Sequence, residues 1–227
     1  MNRHPANMPP MPSRMASPFG LGILCAIWLV AVVAGSGMIF KYQNQPGLVG
    51  TTPESWPQGT IFALDRQRDT LIMFAHPRCP CTRASLAELN RLMSRSGDRV
   101  TAHVAFLSPH EMDADWAKTD RWTSAEAISG VSVMADADGA LARQFGAETS
   151  GYVVLYNPQG KLLFKGGITA SRSHEGDNAG ESAILAMVLG KHTDLKLTPV
   201  FGCSLLDKCK VSQRTAPEPQ LTEGAVR

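Results

Sequence analysis

The stretch Ala75-His76-Pro77-Arg78-Cys79-Pro80-Cys81-Thr82 holds the most reactive residue types of this 227-residue chain. It follows a short apolar run and precedes an amphipathic helical pattern, so both cysteines sit at the mouth of a strand-to-helix turn. A helix N-terminus presents unpaired N–H groups and the positive end of the backbone dipole. A thiol held there gives up its proton more readily than a free one. Pro80 suits the first helical position, which makes Cys79 the expected N-cap and puts Cys81 in the first turn. On this reading Cys79, with the more accessible sulfur and a pKa lowered by Arg78 and Arg83, is the nucleophile. Cys81 is the resolving thiol, and His76, Arg78, Pro80 and Thr82 support the pair. A disulfide between residues two apart closes a tight ring, easily reduced and strongly oxidising.

The redox reading needs no cofactor, but the same residues suggest a second chemistry. His76-x-x-Cys79-x-Cys81 offers one imidazole and two thiolates, soft enough for Cu(I), with His174 in the loop from Gly167 to Asp177 as the distant candidate. Copper held by Cys79, Cys81 and His174 is therefore the alternative. Cys203 and Cys209 are expected to form a structural disulfide that clips the C-terminal segment to the domain; a relay of electrons to Cys79 is the other use open to them. Asp136-x-Asp138-Gly139 imitates the start of a calcium loop but lacks the later ligands, so a helix-capping turn is expected. His110-Glu111 reads as a helix start.

The elements that must hold these residues follow from periodicity. Thr70–Ala75 is apolar enough for a buried central strand, and Leu86, Leu89, Leu92 and Met93 fall on a helical stripe ending near Ser96-Gly97. Val100–Leu107 reads as a second strand, residues 111–128 as a helix stopped by Gly130, and Val131–Met134 as a third strand. Asp136–Gly139 turns into a short helix ending at Phe145-Gly146. Tyr152–Tyr156 and Lys161–Phe164 form a hairpin about Asn157-Pro158-Gln159-Gly160, and Glu181–Leu189 closes as an apolar helix. Strands joined by helices, then a hairpin and a helix, predict an α/β domain with a mixed central sheet flanked by helices.

Outside that domain the composition changes. No charge occurs from Phe19 to Phe40, a run long enough to span about 30 Å of hydrocarbon. Arg3, His4 and Arg14 precede it without an acidic residue, so the positive-inside rule predicts a cytoplasmic N-terminus and an extracytoplasmic domain. A cleavable signal peptide, cut near Ala34-Gly35-Ser36, is the competing reading. The expected organisation is a disordered cytoplasmic tip (1–18), a transmembrane helix (19–40), a linker (41–57), the domain (58–201) and a Cys-containing tail (202–227). Cys25 falls in the span; the other four cysteines would meet an oxidising space, with three possible connectivities. A net charge of +2, with scattered basic residues, argues against a nucleic-acid partner and leaves the membrane and an unknown thiol or disulfide protein as partners.

A cysteine pair just after the first core strand, at a helix N-terminus, resembles the thioredoxin fold, and the resemblance covers about residues 58–190. Three segments are similar more specifically to membrane-anchored bacterial proteins labelled RedB-like: Ala75 to Leu86, Asp136 to Gly139 with Ala142 to Gly146, and Thr149 to Tyr156. The resemblance implies a thiol-disulfide oxidoreductase on the bacterial inner membrane with a periplasmic domain. There are two departures. Aligned without a gap, Arg78 takes the usual nucleophile position and Cys81 the resolving one; with one deletion, Cys79 is the nucleophile and Cys81 stands one place early. The cis-proline that thioredoxin-like proteins set before the hairpin strand is replaced by Thr149-Ser150-Gly151-Tyr152, with Ser150 and Gly151 as docking candidates. A redox-inert interaction domain is the third expectation.

Overall fold

The computed structural model describes residues 18–113 and 115–205. Of the expected tip (1–18), residues 1–17 lie outside the described residues, as does the tail cysteine Cys209, and Pro18 begins the first helix. The chain divides into two compact units, one ending at Asn44 and the other starting at Gln45. In the first, helix α1 (Pro18–Gln43) carries its apolar side chains exposed, Leu24, Trp28 and Val33 among them. Its 26 residues make it long and apolar enough to cross a membrane.

The second unit is built on a five-stranded sheet of order β3-β2-β1-β4-β5. Strand β1 (Asp69–Ala75) lies at its centre, parallel to β2 (Val100–Ser108), which is parallel in turn to β3 (Val131–Ala137). On its other side β1 meets β4 (Tyr152–Tyr156) antiparallel, and β4 forms a hairpin with β5 (Leu162–Gly167). Helices α2 (Cys81–Ser96), α3 (Asp120–Glu126), α4 (Ala140–Phe145) and α5 (Ala179–Val188) connect or follow these strands.

The continuous apolar run of β1 is explained by a core on each face of the sheet. Leu71, Met73 and Ala75 point to one cluster with Leu86, Leu89 and Leu92 of α2 and Ile184 of α5. Ile72 and Phe74 point to the other, with Phe145 of α4, Tyr152 and Tyr156. Strand β4 repeats the division, Val153 and Leu155 against Tyr152, Val154 and Tyr156. Alternating side chains buried on both faces, at roughly 1.5–3 kcal/mol each, fix the register of the strand that delivers the cysteines.

Two expected elements differ. Residues 111–128 do not form one helix: turn bonds such as Trp116 N–H to Asp113 O and Lys118 N–H to Asp115 O precede Thr119, whose backbone is extended (φ −95°, ψ −179°), and α3 starts only at Asp120. His110 starts no helix either, because its N–H and ring Nδ1 both engage Asp138 Oδ1 at 2.8 Å. Residues 45–57 are no free linker. Gly47 N–H binds Val200 O, Gly50 N–H binds Gly146 O, and the Tyr156 hydroxyl donates to Pro53 O. Gly146 permits this approach: it has φ +71°, and a Cβ there would lie 2.4 Å from Thr51 O. The Asp136 carboxylate caps α4 as expected, accepting from Leu141 N–H at 2.8 Å and Ala142 N–H at 2.9 Å.

A buried carboxylate on α2 ties the loop after β5 to the domain. Glu88, fully buried, accepts from Gly176 N–H (2.8 Å) and Asn178 Nδ2 (3.1 Å) and pairs with Arg91. Asn178 then caps α5 by accepting from Glu181 N–H at 2.8 Å. Replacing Glu88 by Ala strips this loop of its anchor and leaves buried donors unpaired. Urea unfolding should show a loss of about 2–4 kcal/mol.

Candidate functional site

Strand β1 ends at Ala75, and the turn that follows is shaped by its own side chains. The His76 ring accepts from Arg78 N–H at 3.1 Å, Cys79 N–H returns to His76 O at 3.1 Å, and the Thr82 hydroxyl donates to the same carbonyl at 3.1 Å. Pro80, with helical dihedrals (φ −58°, ψ −35°), takes the N-cap position without a side-chain cap bond, one place after the N-cap expected at Cys79, and the helix starts at Cys81. Thr82 and Ser150 share a hydroxyl-hydroxyl hydrogen bond of 2.9 Å, and Ser150 Oγ accepts from His76 N–H at 2.9 Å. The supporting residues thereby lock the cysteine turn to the stretch before β4. Gly151 completes the lock: it holds φ +89°, donates its N–H to Phe74 O at 2.8 Å, and a Cβ there would sit 2.8 Å from Ser85 Oγ.

From the other side the turn is held by α3 and the residues before it. Arg121 Nε donates to Cys79 O at 2.9 Å, and the Thr119 hydroxyl donates to Pro77 O at 3.0 Å. The Arg78 guanidinium lies 5.0 Å from the centre of the Trp116 ring, which also meets the His76 ring edge-on at 5.6 Å. Burial pushes the His76 imidazole below its ordinary pKa, with the neighbouring Cys79 charge opposing.

Cys79 is not the accessible thiol expected from its position. It is 1 % exposed and Cys81 6 %. Against it lies the C-terminal segment, expected from the sequence to be a tail. Cys203 N–H points at Cys79 Sγ at 3.4 Å, Ser150 N–H donates to Cys203 O at 2.8 Å, and Leu205 N–H donates to Glu148 O at 2.8 Å. Thr149 and Ser204 thus pair as an antiparallel bridge. Gly202 is needed for this approach, because a Cβ there would lie 2.0 Å from Ser150 O.

The Cys79 sulfur therefore accepts from the Cys203 N–H. Its pKa is driven well below the ordinary thiol range first by the Cys203 thiol, then by the Cys81 thiol, with the backbone N–H groups of both adding and burial opposing. Cys81 and Cys203 are pushed upward in return, each chiefly because its thiol donates to Cys79. Arg78 and Arg83 were expected to lower Cys79, but neither is among its main influences: Arg78 lies over Trp116 and Arg83 pairs with Asp120.

The copper set is not assembled. The loop after β5 turns at Ser173 (φ +56°) and sets the Ser173 hydroxyl, rather than His174, against Cys81 Sγ at 3.5 Å. Among the described residues, no three His, Cys, Asp or Glu side chains are arranged to hold a metal ion. Cys203 lies instead at the site, beside Cys79. Sequence reasoning also missed Trp116, Thr119 and Arg121, which were read as part of a polar helix.

No protein-family model matches the chain, and no curated protein sequence does. Among solved structures, an uncharacterized conserved protein from Geobacillus kaustophilus matches with a TM-score of 0.53 at 18% identity, over 71% of this chain and 92% of that one. A hypothetical protein from Sinorhizobium meliloti 1021 matches with a TM-score of 0.52 at 18% identity, over 72% of this chain and 97% of that one. The exposed lipoprotein thioredoxin Etrx1 from Streptococcus pneumoniae scores 0.42 at 18% identity, over 62% and 99%. A central β1 parallel to β2 and antiparallel to β4, a β4-β5 hairpin at the edge and the cysteine turn at the start of α2 decide the architecture. The fold is thioredoxin-like.

In this thioredoxin-like domain the donors around Cys79 can be removed singly. Replacing Cys203 by Ala deletes the largest influence lowering Cys79, so absorbance at 240 nm of the reduced protein should show the Cys79 thiolate titrating at higher pH than in the wild type. The low-pH thiolate signal should vanish in Cys79→Ala.

Proposed function

We propose that the chain is a membrane-anchored, RedB-like thiol-disulfide exchange protein whose domain works outside the cytoplasm. What carries the reading is the Cys79 sulfur, buried in the turn after a central strand and accepting from the Cys203 N–H, with its pKa driven well below the ordinary thiol range. Thiolate is the reactive form in disulfide exchange, and a sulfur stabilised as thiolate is also a good leaving group. The Cys79 thiolate attacks one sulfur of a partner's disulfide, forming a mixed disulfide and releasing the partner's other sulfur as a thiolate. Cys81, deprotonated, then attacks Cys79 Sγ, closes the Cys79-Cys81 disulfide and frees the partner's second thiol. The partner is thereby reduced by two electrons and the domain oxidised; with a dithiol partner the same steps run backward.

The α1 helix supports the anchoring, since it is apolar along its length and exposed, with Lys41 in its last turn. The basic residues before it and the absence of acidic ones support an N-in orientation across the bacterial inner membrane, with the domain in the periplasm. There the cysteines meet an oxidising environment and a supply of disulfide partners.

The direct test is turnover of a protein disulfide, such as those of insulin, with the detergent-solubilised full chain and a small dithiol as reductant. Cys79→Ser should lower the rate by about 100-fold or more, to the level of the dithiol alone. An unchanged rate in Cys79→Ser removes the exchange reading.

A further inference from the structure

Resting on that reading, we propose that Cys203 is a third redox thiol, which takes over the disulfide of Cys79 from Cys81 and latches the C-terminal segment across the site. The segment is held in register for this by backbone bonds on both sides of the cysteine. Ser150 N–H donates to Cys203 O, Leu205 N–H donates to Glu148 O, and Thr149 and Ser204 form an antiparallel bridge. Arg172 Nη1 also donates to Gly202 O, and Val200 O accepts from Gly47 N–H at 2.8 Å. Phe201 and Leu205 are buried at either end. The Cys203 N–H then lies 3.4 Å from Cys79 Sγ.

Two features set this contact apart from a clip between tail cysteines. The first is reach: Cys203 approaches Cys79 across 124 residues of sequence, so a bridge between them needs no tight ring of neighbours. The second is position. The segment pairs with Thr149 and with Ser150, one of the two residues expected to dock a partner, and it brings a cysteine to the Cys79 sulfur. The C-terminal segment therefore occupies this position as an intramolecular substrate.

The step balances without an added oxidant. Exchange with a partner first leaves a Cys79-Cys81 disulfide. The Cys203 thiol loses its proton and attacks Cys79 Sγ; the Cys79-Cys203 bond forms, the Cys79-Cys81 bond breaks, and Cys81 leaves as a thiolate that takes up a proton. No electrons are gained or lost. Attack by Cys81 on the latched bond reverses the step and reopens that position for a partner.

Peptide mapping under non-reducing conditions tests the latch. The full chain in detergent is oxidised with glutathione disulfide, its free thiols are alkylated, and it is cleaved with trypsin. The sequence separates the cysteines: cleavage after Arg78 and Arg83 releases Cys79 with Cys81, cleavage after Lys196 and Lys208 releases Cys203 alone, and Cys209 falls in the next fragment. The expected product is the 79–83 peptide linked to the 197–208 peptide, as the main disulfide in wild type and in Cys81→Ser. It should disappear in Cys79→Ser, and Cys203→Ser should show an internal Cys79-Cys81 bridge. Cys203 joined to Cys209, or left free beside a Cys79-Cys81 bridge in wild type, would overturn the latch and leave exchange through Cys79 standing. Loss of the exchange reading has its own sign, full insulin turnover by Cys79→Ser.

Discussion

A buried sulfur held against the backbone N–H of a residue from the far end of the domain is the constraint on which the site depends. Cys79 is almost without solvent, which by itself would keep a thiol protonated. The Cys203 and Cys81 thiols and the two backbone N–H groups reverse that outcome. They act at short range in a medium of low polarity, where each donor counts for more than it would in water. The site's chemistry is thus set less by surface arginines or by the helix end alone than by the convergence of three cysteines from two distant parts of the chain.

That convergence requires a rigid frame. Strand β1 is fixed by cores on both faces of the sheet, so Ala75 and the turn after it have one position. Ser150 links the turn to the stretch before β4 with its side chain and holds the C-terminal segment with its backbone. Thr119 and Arg121 pin the carbonyls of Pro77 and Cys79 from the opposite side. Glu88 secures the loop that carries Arg172 and Ser173, and these reach Gly202 and Cys81. The same small set of residues that orders the fold at this end of the sheet therefore orders the thiols.

The local parts of this arrangement were legible in the sequence. The doubly buried run of β1, the stripe of Leu86, Leu89 and Leu92, the Asn157-to-Gly160 turn and the cap at Asp136 all follow from patterns a few residues long. What was not legible depends on long-range approach. Nothing in the spacing of Cys203 and Cys209 says that Cys203 lies against a residue 124 positions earlier; the only local sign is Gly202, whose missing side chain lets the segment close on Ser150. Trp116 fitted a helical spacing by chance, and its ring serves His76 and Arg78 instead. Residues 45–57 looked like a spacer because they are rich in Pro and Gly, yet those residues are what lets the backbone lie close on the domain.

Cys79 is the thiolate of the site. The pH dependence of the reaction between the fully reduced protein and a small aromatic disulfide, followed in wild type and in Cys79→Ser, measures this. A fast phase that belongs to Cys79 should keep its rate as the pH falls through neutrality and be absent from the variant. A fast phase that survives Cys79→Ser, or a rate that rises only as the pH approaches the ordinary thiol range near 9, would contradict it.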